Sequence, residues 1–248
     1  MSQTTAMLIG ASSQLSQALA QKFSEQNVEL ILFAQDPQSI KPFTDALTTT
    51  VTVYPLAIEQ PEKIIEQINH AWKEHNGAHL VLVNTGLNGY DPQLPWQLDQ
   101  DIIDVNVKGY AAICNASFRL LCEQGYGQLA SINSIAGLRG GPNVAYHASK
   151  AFAQSYLEGL SMHAQRLKLP VTISDIQLGL LDKAAMQGQK FWLPPIDKVA
   201  NQIIKGLKKG KRKFYVTKRW RLVAWLTKGL PEFIYNTRHW NKKAKKKK

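Results

Sequence analysis

Tyr146 and Lys150 stand four residues apart in the run Tyr146-His147-Ala148-Ser149-Lys150. On a helix, side chains at i and i+4 share a face, so a phenol and an ammonium are expected side by side. A free tyrosine hydroxyl titrates near ~10 and is a poor acid–base group at neutrality. An adjacent positive charge favours the phenolate and draws that value down toward working pH. The pair is therefore suited to hand a proton to a carbonyl oxygen, or to take one back.

This spacing recurs on many solvated helices, so its surroundings decide what it means. Upstream, Ser131-Ile132-Asn133-Ser134-Ile135-Ala136-Gly137 reads as a strand end running into a small-residue loop. Before it come Asp104-Val105-Asn106-Val107-Lys108-Gly109 and, near the start, the apolar run and glycine turn Met7-Leu8-Ile9-Gly10-Ala11-Ser12-Ser13. In this order the motifs resemble the short-chain dehydrogenase/reductase family, over Met1 to about Phe214. The resemblance implies an NAD(P)-dependent enzyme with four site residues. Tyr146 would donate the proton, and Lys150 would lower the Tyr146 pKa and bind the nicotinamide ribose. Ser134 would hold the reacting oxygen, and Asn106 would hold a water linking Lys150 to solvent. Singly, each has an ordinary reading: Ser134 as a turn residue, Asn106 as a helix cap, Lys150 on a solvated face. Ser134 precedes Tyr146 by twelve residues, one fewer than the family spacing. Asn133 has the family spacing but offers an amide, and Ser134-x-Ala136-Gly137 fits the motif, so Ser134 is chosen.

These residues need a frame. Short β-rich runs (Ala6–Gly10, Val28–Ala34, Val51–Leu56, Leu80–Asn84, Gly127–Ile132, Val171–Gln177, Lys213–Val216) alternate with amphipathic stretches such as Gln14–Gln26, Pro61–Glu74, Val105–Cys122, Asn143–Leu167 and Ile196–Lys208. Strand–helix alternation with nearly all-apolar strands predicts a parallel sheet covered on both faces. Right-handed crossovers make it an α/β, doubly wound, Rossmann-type fold. A single domain over 1–216 and a basic amphipathic extension over 217–248, with the last residues disordered, are expected.

In such a sheet the first strand–helix turn meets a pyrophosphate, and glycines let backbone approach phosphate. The family pattern Gly-x-x-x-Gly-x-Gly falls on Gly10, Gln14 and Ser16, so two of its three glycines are replaced. The resemblance still places Gly10, Ser12, Ser13, Gln14 and Leu15 at the phosphates, with Ser12 and Ser13 as donors; the alternative reading of the lost glycines is a catalytically decayed relative that keeps the fold as a scaffold or sensor. In Val83-Asn84-Thr85-Gly86, Asn84 and Gly86 match the family's turn beside the adenosine ribose. After the sixth strand, Leu178-Gly179 lacks the family's Pro but keeps Gly179 as a cofactor residue, and Lys183 stands where a Thr is usual. The second strand ends Phe33-Ala34-Gln35-Asp36. Ala34 takes the place of the carboxylate that reads the NAD ribose, and Gln35 the place of the NADP-reading Arg. Asp36 falls late and suits a helix cap. NAD or NADP is expected, with NADP favoured; no metal site is expected.

The substrate side is apolar. Leu180–Leu193 is expected to form a lid, with Leu87-Asn88-Gly89-Tyr90 and Leu138 at the mouth, so a small apolar or lipid-like substrate is expected.

With 248 residues, 44% hydrophobic, the chain is long enough for one large core. It has no run of about 18 apolar residues, which argues against a span, and the first residues lack a basic n-region, so no signal peptide is expected. Cys114 and Cys122 are too far apart on one helix for a disulfide and are expected as buried thiols in a reducing compartment. The net charge of +12 is uneven: residues 205–248 hold 17 Lys and Arg against Glu232 alone, whereas residues 1–204 are mildly acidic. Such asymmetry points to a polyanionic partner. In Lys218–Lys228, helical spacing puts Leu222, Val223, Trp225 and Leu226 on one side with Arg221 and Lys228 opposite. Gly229 and Pro231 break that helix, and Phe233, Ile234, Tyr235 and Trp240 follow. An anionic membrane surface is the expected partner of 217–248, each closing lysine adding about 1 kcal/mol. Packing on the body or on a partner subunit is the second reading, and nucleic acid the third. A homodimer or homotetramer in the cytoplasm, peripheral on the inner face of a membrane, completes the expectation.

Overall fold

A computed structural model describes residues 3–179 and 194–235. In chain order the strands are β1 Thr5–Ile9, β2 Glu29–Ala34, β3 Val51–Pro55, β4 Leu80–Val83, β5 Gly127–Ser134, β6 Val171–Leu178 and β7 Lys213–Val216. The helices are α1 Gln14–Ser24, α2 Lys41–Thr44, α3 Pro61–Glu74, α4 Trp96–Ile103, α5 Tyr110–Gln124, α6 Val144–Arg166, α7 Ile196–Leu207, α8 Arg219–Gly229 and α9 Glu232–Tyr235. Among the described residues the strands form one parallel sheet in the order β3-β2-β1-β4-β5-β6-β7. This is the expected doubly wound Rossmann-type fold. Strand order reverses between β1 and β4, so a ligand crevice opens beyond their carboxyl ends.

The strands are apolar throughout because both faces are covered. Alternate residues of β1 serve two cores. Met7 and Ile9 pack with Ile64 and Ile68 of α3, Ile113 and Leu121 of α5 and Leu157 of α6. Leu8 packs on the other face with Leu15, Leu19 and Phe23 of α1 and Val199, Ile203 and Leu207 of α7. Each fully buried side chain of this kind contributes about 2 kcal/mol.

Where the elements differ from expectation, the cause is local. The expected helix from Val105 begins as a wide π-helical turn, Asp104–Gly109, continuous with α4. Helix α4 itself was not anticipated, because Ile102 is its one buried residue. Strand β5 runs on to Ser134, which pairs with Leu178. Asp36 caps a short 3-10 turn, Pro37–Ile40, by accepting from the Gln38 amide at 3.0 Å. Both cysteines are free, but only Cys114 is fully buried; Cys122 is half-buried.

The tail departs most from the expected pattern. Helix α8 turns Trp220 and Ala224 inward, and Val223 is half-buried. Leu222, Trp225 and Leu226 face solvent. The apolar residues of α8 thus divide between two faces. Residues 236–248, and with them Trp240, the closing lysines and the expected terminal disorder, lie outside the described residues, as do the expected lid Leu180–Leu193 and Lys183.

Candidate active site

The first turn is built around Gly10. Its φ of +94° suits glycine, and a Cβ there would strike the Asn84 carbonyl. The Gly10 and Ala11 amides both donate to the Phe33 carbonyl, at 3.0 and 2.8 Å. Ser13 is the N-cap of α1 and accepts from the Ser16 amide at 3.1 Å. Ser16, where a glycine was expected, is buried and donates to the Gly10 carbonyl at 2.7 Å. The Asn84 amide donates to Ser13 Oγ and Ser16 Oγ, each at 2.8 Å. The serine therefore points inward as a strut and leaves the outer face of the turn clear. Gln14, replacing the other glycine, is exposed.

Two of the expected ligand groups also brace the turn. The Ser13 hydroxyl donates to Ser16 Oγ at 3.0 Å. Asn84 ties the end of β4 to α1, and its side chain is directed at the turn. Ser12 is exposed. The amides of Gln14 and Leu15, in the first turn of α1, have no intrahelical acceptor, and Leu15 anchors that turn in the core. Gln35 is exposed at the tip of β2, next to buried Ala34. Gly10, Ser12 and the α1 amides fit the pyrophosphate of a dinucleotide, which a helix N-terminus attracts.

The second half of the site lies at the carboxyl ends of β4 and β5. Ser134 is the last residue of β5, and its hydroxyl lies close enough to the Tyr146 phenol to act on its proton. It also accepts from the Ala136 amide at 3.1 Å, which fixes the turn after the strand. Asn133, the other candidate, is buried, and its Oδ1 accepts from the Ser134 amide at 3.1 Å. Ser134 is thus the residue that meets Tyr146, despite the short spacing. Gly137 explains the small-residue motif, because a Cβ there would strike the Gln154 side chain and the Lys150 backbone.

Tyr146 and Lys150 share one face of α6, with Lys150 Nζ 5.8 Å from the Tyr146 ring centroid. Burial raises the Tyr146 hydroxyl above its usual value, and the nearby Ser134 side chain pulls the other way. Burial draws the Lys150 ammonium down to about 8. The ammonium faces the ring, and burial is the larger influence on the phenol.

Asn106, in the π-helical turn, clamps the loop after β4. Its Oδ1 accepts from the Leu87 amide at 2.7 Å, and its Nδ2 donates to the Leu87 carbonyl at 2.8 Å and to Ser149 Oγ at 3.0 Å. The side chain is thus held by protein partners on both the loop after β4 and α6. Gly86 sits between: a Cβ there would lie 3.1 Å from Lys150 Nζ and 3.4 Å from Asn106 Oδ1. That glycine keeps the space beside the lysine open, as a bound ribose requires.

Two residues that were not foreseen support the centre. Gln154, one turn beyond Lys150, donates to the Ser134 carbonyl at 3.0 Å. Its Oε1 accepts from Lys213 at 3.1 Å, and Lys213 is paired with buried Asp175 at 3.4 Å. Burial raises the Asp175 carboxyl, opposed first by the Lys213 charge. The continued spacing of four, Tyr146-Lys150-Gln154, was the available signal. The other is Trp220. Its indole lies against Gly179, where any Cβ would overlap the ring. Helix α8 also packs on the Ile135–Leu138 turn. Beyond it, Arg139 donates to the Leu230 carbonyl at 2.9 Å and stacks over Tyr235, and Tyr235 donates to the Gly140 carbonyl at 2.8 Å.

Among the described residues no group of His, Cys, Asp and Glu could hold a metal. No helix there is long and apolar enough to cross a membrane.

Residues 4–192 match the family model described as short chain dehydrogenase. A curated relative from Myxococcus xanthus, named an uncharacterized oxidoreductase, is 33% identical over 178 residues, 69% of this chain and 70% of its own length. Two solved structures share the fold at 16% identity. A Burkholderia phymatum short chain dehydrogenase/reductase in complex with NAD has a TM-score of 0.80, over 94% of this chain and 95% of its own. A bulky-bulky ketone specific alcohol dehydrogenase from Comamonas testosteroni has a TM-score of 0.75, over 96% of both chains.

Proposed function

This chain belongs to the short-chain dehydrogenase family of oxidoreductases, and from that premise we propose that it interconverts a ketone and a secondary alcohol on an apolar or lipid-like substrate. The observation that carries the reading is the shared face of α6, which sets a buried Lys150 ammonium 5.8 Å from the Tyr146 ring centroid, with Ser134 at the end of β5 beside the phenol. A bound nicotinamide cofactor supplies or accepts the hydride. The protein's own groups manage the oxygen and its proton. In reduction, Tyr146 gives its hydroxyl proton to the developing alkoxide; in oxidation, the phenolate takes it back. Ser134 donates to the same oxygen and steadies its charge. Lys150 fits a ribose hydroxyl across the gap kept by Gly86, and its charge is available to the phenolate as that forms.

NADP is the favoured cofactor, because Ala34 and Gln35 put no carboxylate at the tip of β2 and Asp36 is engaged as a cap. The half-exposed Leu87 and the aromatic Tyr90 support an apolar mouth, and the Comamonas neighbour is named for bulky ketones. Phe152 and Tyr156 stack at 5.5 Å on the outer side of α6, beside Phe118 of α5. That surface suits a homodimer or homotetramer. The free cysteines suit the cytoplasm.

The test is Tyr146→Phe, followed by nicotinamide absorbance with a bulky ketone. A loss of roughly 10²-fold or more is expected; unchanged turnover would refute the assignment of the proton. Comparing NADPH with NADH in the same assay tests the cofactor preference, and a lower KM for NADH would reverse it.

A further inference from the structure

We propose that α8 and α9 form a docking surface for an anionic lipid bilayer, attached by its inner side to the loop that follows Ser134. This goes beyond the oxidoreductase reading and does not depend on it. The inner side is fixed by Trp220 on Gly179, Arg139 with the Leu230 carbonyl, and Tyr235 with the Gly140 carbonyl. The outer side carries Leu222, Trp225, Leu226 and Phe233, which are 62%, 72%, 50% and 80% exposed.

At about 100° per residue, Leu222, Trp225 and Leu226 span one sector of α8, and exposed Arg221 and Lys228 flank it on one side. An apolar sector with large side chains and a basic border is the pattern of a helix lying in a membrane interface. Charge selects the occupant. Exposed Lys218, Arg221 and Lys228 of this segment stand against Glu232, so a second copy of this chain would bring the same positive charge to the same face and be repelled. An anionic leaflet attracts each lysine and arginine close to its surface. Nucleic acid would satisfy the charge, but it would leave an aliphatic pair, Leu222 and Leu226, without a partner. Since α8 follows β7 at the same carboxyl edge of the sheet as the site, a bilayer on this face lies close to the Ser134 loop.

The full-length protein is to be sedimented with sucrose-loaded vesicles of phosphatidylcholine alone or with one third phosphatidylglycerol. Binding to the anionic vesicles is expected, with a partition at least about tenfold weaker on neutral ones, and weakening as salt rises. The paired change Trp225→Ser with Leu226→Ser removes exposed side chains only, so the fold is retained. It is expected to lower the partition about tenfold or more, while turnover of a small water-soluble ketone stays at the wild-type rate. Wild-type partition by the double variant overturns the proposal. So does a fall in oligomer size on substitution with no vesicle binding, which would make this face a protein interface. Equal retention of wild type and double variant on mixed-sequence RNA, with no vesicle binding, also overturns it.

Discussion

The Ser16 hydroxyl donates to the Gly10 carbonyl at 2.7 Å, within the turn where the family carries glycine at both positions. The bond converts a missing glycine into a brace, shared with Ser13 and Asn84. Ser16→Gly, which restores the family residue, is therefore expected to lower stability by about 1 kcal/mol, from the lost hydrogen bond and added chain freedom. Cofactor affinity should not improve. Urea unfolding and nicotinamide fluorescence titration check the two halves; tighter cofactor binding would show that Ser16 obstructs the turn.

Lys150 sets a second expectation. Its folded value of about 8 lies below the usual 10.5, so the unfolded chain binds this proton more tightly. The charged form destabilises the fold fully below pH 8, and the penalty fades as pH rises toward 10.5. Lys150→Met should thus abolish turnover yet raise unfolding free energy at neutral pH, by about 3 kcal/mol at most. The gain should shrink above pH 8. Denaturant melts of both proteins without cofactor, at neutral and alkaline pH, measure it.

Burial raises the Tyr146 hydroxyl, and the nearby Ser134 side chain opposes it. Alcohol oxidation needs the phenolate and so rises with pH. Ser134→Ala should slow the reaction and move that rising limb to higher pH, because only the raising influence remains. An unshifted limb in a pH–rate profile would separate Ser134 from the phenol.

Gln154 holds the Ser134 carbonyl at 3.0 Å and accepts from Lys213 at 3.1 Å. Gln154→Leu should cut kcat roughly tenfold, the size of one well-placed hydrogen bond, while the KM for cofactor is unchanged. A purely structural role would lower the melting temperature and leave kcat intact at low temperature.

Gly179 and Trp220 form a pair joined by packing alone. Gly179→Ala should destabilise strongly, because the new methyl overlaps the indole, and adding Trp220→Ala should recover part of that loss. A double-mutant cycle by thermal melting reads the coupling; additive effects would mean the two do not meet.

The sheet was legible because it rests on a local rule, apolar runs for buried strands, and a spacing of four put Tyr146 and Lys150 on one helix face. The small-residue motif has a packing reason too, since Gly137 has to approach Lys150. The surroundings of these residues were less legible. Burial acts on both Tyr146 and Lys150 and depends on packing that no spacing encodes. Nor does spacing show that Asn106 meets Leu87 and Ser149, or that Ser13 meets Ser16 and Asn84, since those partners come from separate elements. The tail misled for a similar reason. Amphipathic spacing shows that Trp220 and Trp225 lie on different sides, but only the contact with Gly179 tells which side turns inward.

The clasp between Arg139, Gly140 and Tyr235 makes the carboxyl terminus a mechanical input. Whatever tugs on the last helices, whether a fused tag, a protease cut near Thr217 or a surface that grips Trp225, also pulls on the loop that follows Ser134. On the proposed reading, turnover would then change with no alteration to any group that touches substrate, and trimming the tail for convenience would not be a neutral act.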